Sequence, residues 1–169
     1  EVSVLLNHMT GTTRLIACLL YGSGLRLAEA LSIRIQDLNF DRMTISVIAG
    51  KGDKDRLVPL PAPLLDALKT QQQEAIRLHQ ADLAEGYGEV YLPHAIARKF
   101  KGAAKATGWQ YLFPASRIAA DPRSGVLRRH HLHETAISKG IRRGRIKAGL
   151  TKRIGAHTLR HSFATHLLE

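Results

Sequence analysis

The 169-residue chain, 44% hydrophobic, has enough apolar material for one globular core and needs no second one. Its longest uncharged apolar stretch, Leu15 to Gly24, is too short to span a bilayer, and no charged-then-apolar leader opens the chain; the expectation is a soluble, cytoplasmic domain with no membrane partner. The net charge of +11 is lopsided, with 9 Lys/Arg against 11 Asp/Glu over residues 1–89 and 16 against 3 over residues 90–169, while the single Cys18 excludes an internal disulfide or a cysteine-rich zinc site.

In chain order, Thr12 to Tyr21 is apolar nearly throughout, as in a buried helix, and Gly22-Ser-Gly24 breaks it. Leu25 to Ile33 reads as a short second helix. Thr44 to Ala49 and Arg56 to Leu60 are β-branched or apolar runs around a charged, glycine-bearing turn, Gly50 to Asp55, and predict a hairpin. Pro63 in a first turn, followed by Leu65, Leu68, Ile76 and Leu83, predicts a long surface helix. A short basic helix over Ala95 to Ala106, a third strand over Trp109 to Phe113 stopped by Pro114, and a loop over Ser116 to Gly125 follow. A basic helix is expected from about His130 to Gly149. Gly155 to Glu169 reads as a last helix with Leu159, Phe163 and Leu167 four apart, uncapped, as if cut rather than finished. The fold class is therefore α+β, mainly α-helical, with a small antiparallel β-sheet.

The basic second half is a polyanion-binding candidate. It lacks the bulky apolar face that an interfacial helix inserts into a membrane, so nucleic acid is the expected partner. Within it, Lys139 to Arg153 carries seven Lys/Arg and no acid. Lys139, Arg142, Arg143 and Arg145 are candidates for contact with the phosphate backbone, a solvated helix face being the plainer use of the same charges.

Three short patterns carry chemistry. In His157-Thr-Leu-Arg-His161, helical spacing puts His157, Arg160 and His161 on one face. The arginine fork matches two phosphate oxygens, and a neighbouring histidine serves as donor or proton carrier. Alone, such a face is more readily just solvated. In Gly22 to Glu29 a glycine turn delivers Arg26 to a helix start with Glu29 one turn on, an anion site or an ordinary surface ion pair. Lys51 stands at the hairpin tip, where a flexible ammonium either is solvated or reaches a phosphate and gives up a proton.

Taken in order and spacing, Leu20-Tyr-Gly-Ser-Gly-Leu-Arg-Leu-Ala-Glu29, the Gly-Lys-Gly-Asp-Lys-Asp-Arg-Leu-Val-Pro-Leu hairpin and His-Thr-Leu-Arg-His-Ser-Phe-Ala-Thr-His-Leu-Leu resemble the catalytic domain of the tyrosine recombinase (phage-integrase-like) family. The resemblance runs over nearly the whole chain. Ala97-Arg-Lys-Phe, Gly108-Trp-Gln-Tyr-Leu-Phe-Pro, Asp121-Pro-Arg-Ser-Gly-Val-Leu-Arg-Arg-His-His and Thr151-Lys make it most similar to the integron-integrase branch.

The resemblance implies DNA recombination and integration: a tyrosine attacks the scissile phosphate, forming a 3′-phosphotyrosyl link and freeing a 5′-hydroxyl that later attacks a partner strand. The bond energy is conserved and no cofactor, metal or nucleotide, is required, because preorganised cations balance the transition state. On this resemblance Arg26 and Arg160 clamp the non-bridging oxygens, His157 bonds the phosphate or assists proton transfer, and Lys51, with Lys54 as its neighbouring rival, protonates the leaving oxygen. Glu29 orients the arginine and His161 gives structural support. Tyr21, Tyr87, Tyr91 and Tyr111 all precede the His157–Arg160 helix and none matches the nucleophile position. Residues 1–169 are thus expected to be a partial catalytic domain, inactive alone, without the amino-terminal DNA clamp and the carboxy-terminal tyrosine segment. Residues 91–111 correspond to an integron-type insertion, where Trp109 and Tyr111 stack on bases extruded from a folded single-stranded site, unless one of them is core. DNA, duplex and folded single strand, is the implied partner, with the parent protein a homotetramer on it.

Two further readings stay open. A metal-dependent hydrolase would use His157 and His161 at zinc-helix spacing, but Thr158 stands where a metalloprotease has its glutamate. A non-catalytic DNA-binding remnant of a recombinase would keep the basic surface and lose the chemistry.

Overall fold

The computed structural model describes residues 1–48 and 54–168, the side chains of 165–168 aside. Six of the seven helices among these residues surround one main apolar core, and a three-stranded antiparallel sheet lies at its side. The fold class matches the expectation.

Helix α1 (Val2–Asn7), which the sequence reading did not anticipate, packs beside α2 (Gly11–Ser23). In α2, Ile16, Ala17, Leu19 and Leu20 are fully buried, a spacing that turns one face inward, as for a central helix. It ends at Gly24, whose φ of 72° is left-handed and whose N–H donates to Leu20 O. Helix α3 (Leu27–Leu31) follows at once. A 3-10 turn over Ile35–Asp37 leads into the sheet, whose strands are β1 (Leu38–Asn39), β2 (Thr44–Val47) and β3 (Arg56–Pro59) in the order β1-β2-β3. Pairing Ile45 with Val58 puts both side chains on the core face, while Leu57 is left outward. The hairpin is as predicted, with β1 as an additional edge strand; its turn at residues 49–53, Lys51 included, lies outside the described residues.

Helix α4 (Leu65–Ala84) buries Leu68, Ala75, His79 and Asp82. The expected apolar stripe holds at Leu68 but not at Leu83, which is exposed. The inward face of its second half is polar because Asp82 meets Arg129, with Nε and Nη2 donating at 2.8 and 2.9 Å.

Residues 86–131 depart furthest from the reading. The helix expected over 95–106 is two pieces: α5 (His94–Lys99), then a 3-10 turn over Ala103–Lys105 after Gly102 at φ 85°. The strand expected over Trp109–Phe113 does not form. A 3-10 turn covers Thr107–Trp109, and the segment makes only isolated bridges, Arg34 to Tyr111 and Pro114 to His131. The buried Gln110 amide explains the difference: it faces the carbonyls of Gly88, Ala104 and Ala106 at 3.0–3.3 Å and pulls the chain into a compact turn. Around it Val90, Leu92, Ala103 and Tyr111 form a small second core. The loop expected over 116–125 contains half of a minimal hairpin, β4 (Ala119–Ala120) with β5 (Leu127–Arg128).

Helix α6 (Glu134–Lys147) is shorter at both ends than the expected stretch; at its start the His133 ring caps it by accepting the Thr135 N–H at 3.2 Å. Helix α7 (Ala156–Leu168) packs on α2 with Leu159 fully buried. No helix among the described residues is long and apolar enough to cross a membrane.

Candidate active site

The site lies where the end of α2 meets α7. Gly24 ends α2 in a conformation that L side chains rarely adopt, and a Cβ there would run into the Phe163 ring of α7. That close approach lets the Gly24 carbonyl accept a hydrogen bond from Arg160 Nε at 2.9 Å, across 136 residues of sequence. The bond uses Nε and ties the Arg26-bearing turn to the Arg160-bearing helix. Beside it opens a cavity of about 740 Å³ lined by Gly24, His157, Thr158, Arg160, His161 and Phe163. The face predicted from the i, i+3, i+4 spacing therefore exists and borders an open cleft. No tyrosine lines it among the described residues.

Arg26 precedes the first turn of α3, with its side chain 55% exposed. Its backbone N–H donates to Glu29 Oε1 at 2.9 Å, and its guanidinium lies 3.5 Å from Glu29 Oε2. The expected Arg26–Glu29 pair is present but is the weaker half of the arrangement. Arg56, on β3, donates to both Glu29 oxygens at 2.7 and 2.8 Å, a fork-to-carboxylate match. These Arg56 bonds are the main reason that the Glu29 carboxyl is lowered to about 2 from an ordinary 4.5. The sequence marks Arg56 only as a strand residue. Its partner is 27 positions away, and no local spacing reveals it.

The remaining expected residues divide. Lys51 lies outside the described residues, and its rival Lys54 is exposed at the edge of the hairpin. On α6, Lys139, Arg142 and Arg143 are exposed, opposite the buried Ile137, Ile141 and Gly144. Arg145 is half-buried and donates to Leu150 O at 3.3 Å, which holds the turn after α6. Trp109 is half-buried at the rim of the small core. Tyr111 corrects the expectation: it is 5% exposed, with its ring edge-on to His130 and His131 at 5.4 and 5.0 Å and under the Arg34 guanidinium at 4.6 Å. A ring enclosed on these sides is a core residue, not a platform for a base. Burial also raises its hydroxyl above the ordinary value.

The histidines do not converge as metal donors, and no group of three His, Cys, Asp or Glu among the described residues could hold an ion. His130 and His131 stack on each other at 3.9 Å and His133 caps α6. A second cavity, about 530 Å³, is lined by Tyr91, Arg117, Asp121, Arg123, Arg129 and His130 among others. There Arg123 lies over Tyr91 at 3.5 Å, and Asp121 is held well below the usual carboxylate range by Arg123 and Arg128.

The chain is similar to known proteins. Integrase/recombinases of Escherichia coli and of Pseudomonas aeruginosa are each 44% identical to the chain over 168 residues, covering 99% of it and 50% of the relative. The tyrosine recombinase XerA of Pyrococcus furiosus is 32% identical over 156 residues, 92% of this chain and 41% of that one. Among solved structures, the XerA recombinase superposes with a TM-score of 0.62 at 26% identity, over 99% of this chain and 47% of that one. The XerH site-specific recombinase in a pre-cleavage complex with its difH substrate gives 0.59 at 26%, over 99% and 40%. The chain thus spans about half the length of the curated relatives it matches. The phage integrase family matches residues 1–169, and the chain belongs to that family, the tyrosine recombinases.

Proposed function

We propose that this chain supplies most of the phosphate-binding half of a site-specific recombinase that cuts and rejoins DNA through a 3′-phosphotyrosyl intermediate, acting on integron gene-cassette sites. The observation that carries the reading is the Arg160–Gly24 bond, which joins the two arginine-bearing segments at one cleft. Arg26 and Arg160 bind the non-bridging oxygens of the scissile phosphate, and His157 donates to the same phosphate or moves a proton. Glu29, held by Arg56, fixes the start of α3 and so positions Arg26. Lys51 delivers the proton to the leaving oxygen, a role suited to a flexible ammonium beside a polyanion. Tyr21, Tyr87, Tyr91 and Tyr111 are not the attacking group in this scheme, so residues 1–169 bind DNA without cleaving it. The exposed Lys139, Arg142 and Arg143 contact the backbone and carry affinity without sequence information. The whole protein works as a homotetramer on paired DNA sites. The XerH structures, solved with their difH substrate, support DNA as the partner.

The cassette-site reading rests on residues 91–111, where Trp109 offers a half-buried ring for stacking on an unpaired base. It is tested by binding a folded single-stranded hairpin and a duplex of equal length across a salt series. Preference for the hairpin that Trp109→Ala erases is the expected result. Equal binding, with Trp109 indifferent, would leave a recombinase domain without cassette-site recognition.

A further inference from the structure

The turn that carries Trp109 is fastened to the body of the domain by one residue that the activity does not otherwise use. Arg34, just before the 3-10 turn at Ile35–Asp37, donates from Nη1 to Trp109 O at 2.6 Å and from Nη2 to Tyr91 O at 2.9 Å. Its guanidinium lies 4.6 Å from the Tyr111 ring centre and 5.6 Å from that of Trp109. Its own N–H donates to Asp37 Oδ2 at 2.8 Å, so its backbone is fixed as well. Neighbouring contacts seat the same turn: Ile35 N–H donates to Gln110 O at 2.9 Å, and a Cβ on Gly108 would stand 2.9 Å from Gln36 Oε1. Trp109 also borders a cavity of about 490 Å³ shared with Arg34, Pro93 and Ile96.

We propose that Arg34 is a positioning and specificity-determining residue: its fork fixes both ends of the 91–111 segment and holds the Trp109 ring ready to stack on an unpaired base. The proposal rests on the Trp109 reading above. A planar fork with several donors serves two carbonyls and lies against two rings at once, whereas a lysine offers one compact charge. Preorganisation matters because an indole that must first be ordered loses part of what stacking contributes. Arg34 touches no part of the Arg26–Arg160 cleft. It therefore governs the choice between hairpin and duplex, leaving backbone affinity alone.

Trp109 is the sole tryptophan, so its emission reports directly on this turn. The test compares wild type, Arg34→Lys, Gly108→Val and Trp109→Ala for binding to hairpin and to duplex, with emission spectra and thermal melts. Arg34→Lys is expected to lower the hairpin-over-duplex ratio about tenfold, within the range of one base–aromatic stack, with duplex affinity unchanged and emission shifted to the red. Gly108→Val, which pushes the turn off Gln36 without touching the guanidinium, should do the same, and carries the test should Arg34→Lys melt too low. A ratio kept by folded Arg34→Lys, or by a Gly108→Val protein whose emission has shifted to the red, while Trp109→Ala abolishes it overturns the positioning of Trp109 through Arg34 and spares the stacking reading. A Trp109→Ala protein that keeps the wild-type ratio overturns both.

Discussion

Removing Arg56 should convert the Glu29 site from a pH-dependent source of stability into a nearly pH-independent one. A carboxyl lowered from 4.5 to about 2 corresponds, by linkage, to about 3 kcal/mol at neutral pH. Glu29 is 16% exposed but Arg56 is 36% exposed, so solvent screening reduces the contribution to about 1–2 kcal/mol. The folded pKa is the depressed one. The stabilisation is therefore complete above the unfolded value near 4.5 and is lost as pH falls through about 2. Urea unfolding of wild type and Arg56→Met at pH 7, 5, 4, 3 and 2.5 measures it. The stability gap between the two proteins should be about 1–2 kcal/mol at pH 7 and shrink towards the lowest pH. Other titrating carboxylates act on both proteins and cancel in the difference. A gap that stays constant from pH 7 to 2.5 would refute the assignment of Arg56 as the charge that holds Glu29.

Three other perturbations follow from separate parts of the molecule. Arg129→Met strands Asp82, 9% exposed, in the α4 interior and should cost about 3–5 kcal/mol in chemical unfolding, most of it recovered in the Asp82→Leu/Arg129→Met double variant. Gly24→Ala meets both a left-handed backbone and the Phe163 ring; thermal melts should show about 1–3 kcal/mol lost, with hairpin and duplex binding falling together because Arg160 loses its seat. Replacing Lys139, Arg142 and Arg143 one at a time with Ala should lower the slope of log affinity against log salt by about 0.7–0.9 each on any DNA, whereas Arg145→Ala, which frees the Leu150 carbonyl, should act mainly on stability.

What the sequence revealed followed the range of its interactions. Helices α2 and α7 and the β2–β3 hairpin were legible because burial periodicity, the Gly24 stop and the glycine-bearing turn are local signals. The one-face arrangement of His157, Arg160 and His161 was legible for the same reason. What escaped was non-local: Arg56 with Glu29, Arg129 with Asp82, and Arg34 with the carbonyls of Tyr91 and Trp109 join positions 27, 47, 57 and 75 residues apart. The same cause accounts for the strand read over Trp109–Phe113. Its aromatic and apolar residues suit a strand, but Gln110 and Tyr111 are both buried, and the chain satisfies Gln110 by turning rather than by pairing.

The most direct test of the arginine cleft is a scan of neutral methylphosphonates, one phosphate at a time, along the tightest-binding hairpin, for wild type, Arg26→Ala and Arg160→Ala. The account predicts one phosphate whose neutralisation costs wild type about tenfold or more in affinity and costs each variant less than wild type, since one of the two arginines that bond it, at about 1.5–3 kcal/mol per charged hydrogen bond, is already gone. Losses that are even along the DNA and the same in all three proteins would contradict a phosphate held between Arg26 and Arg160.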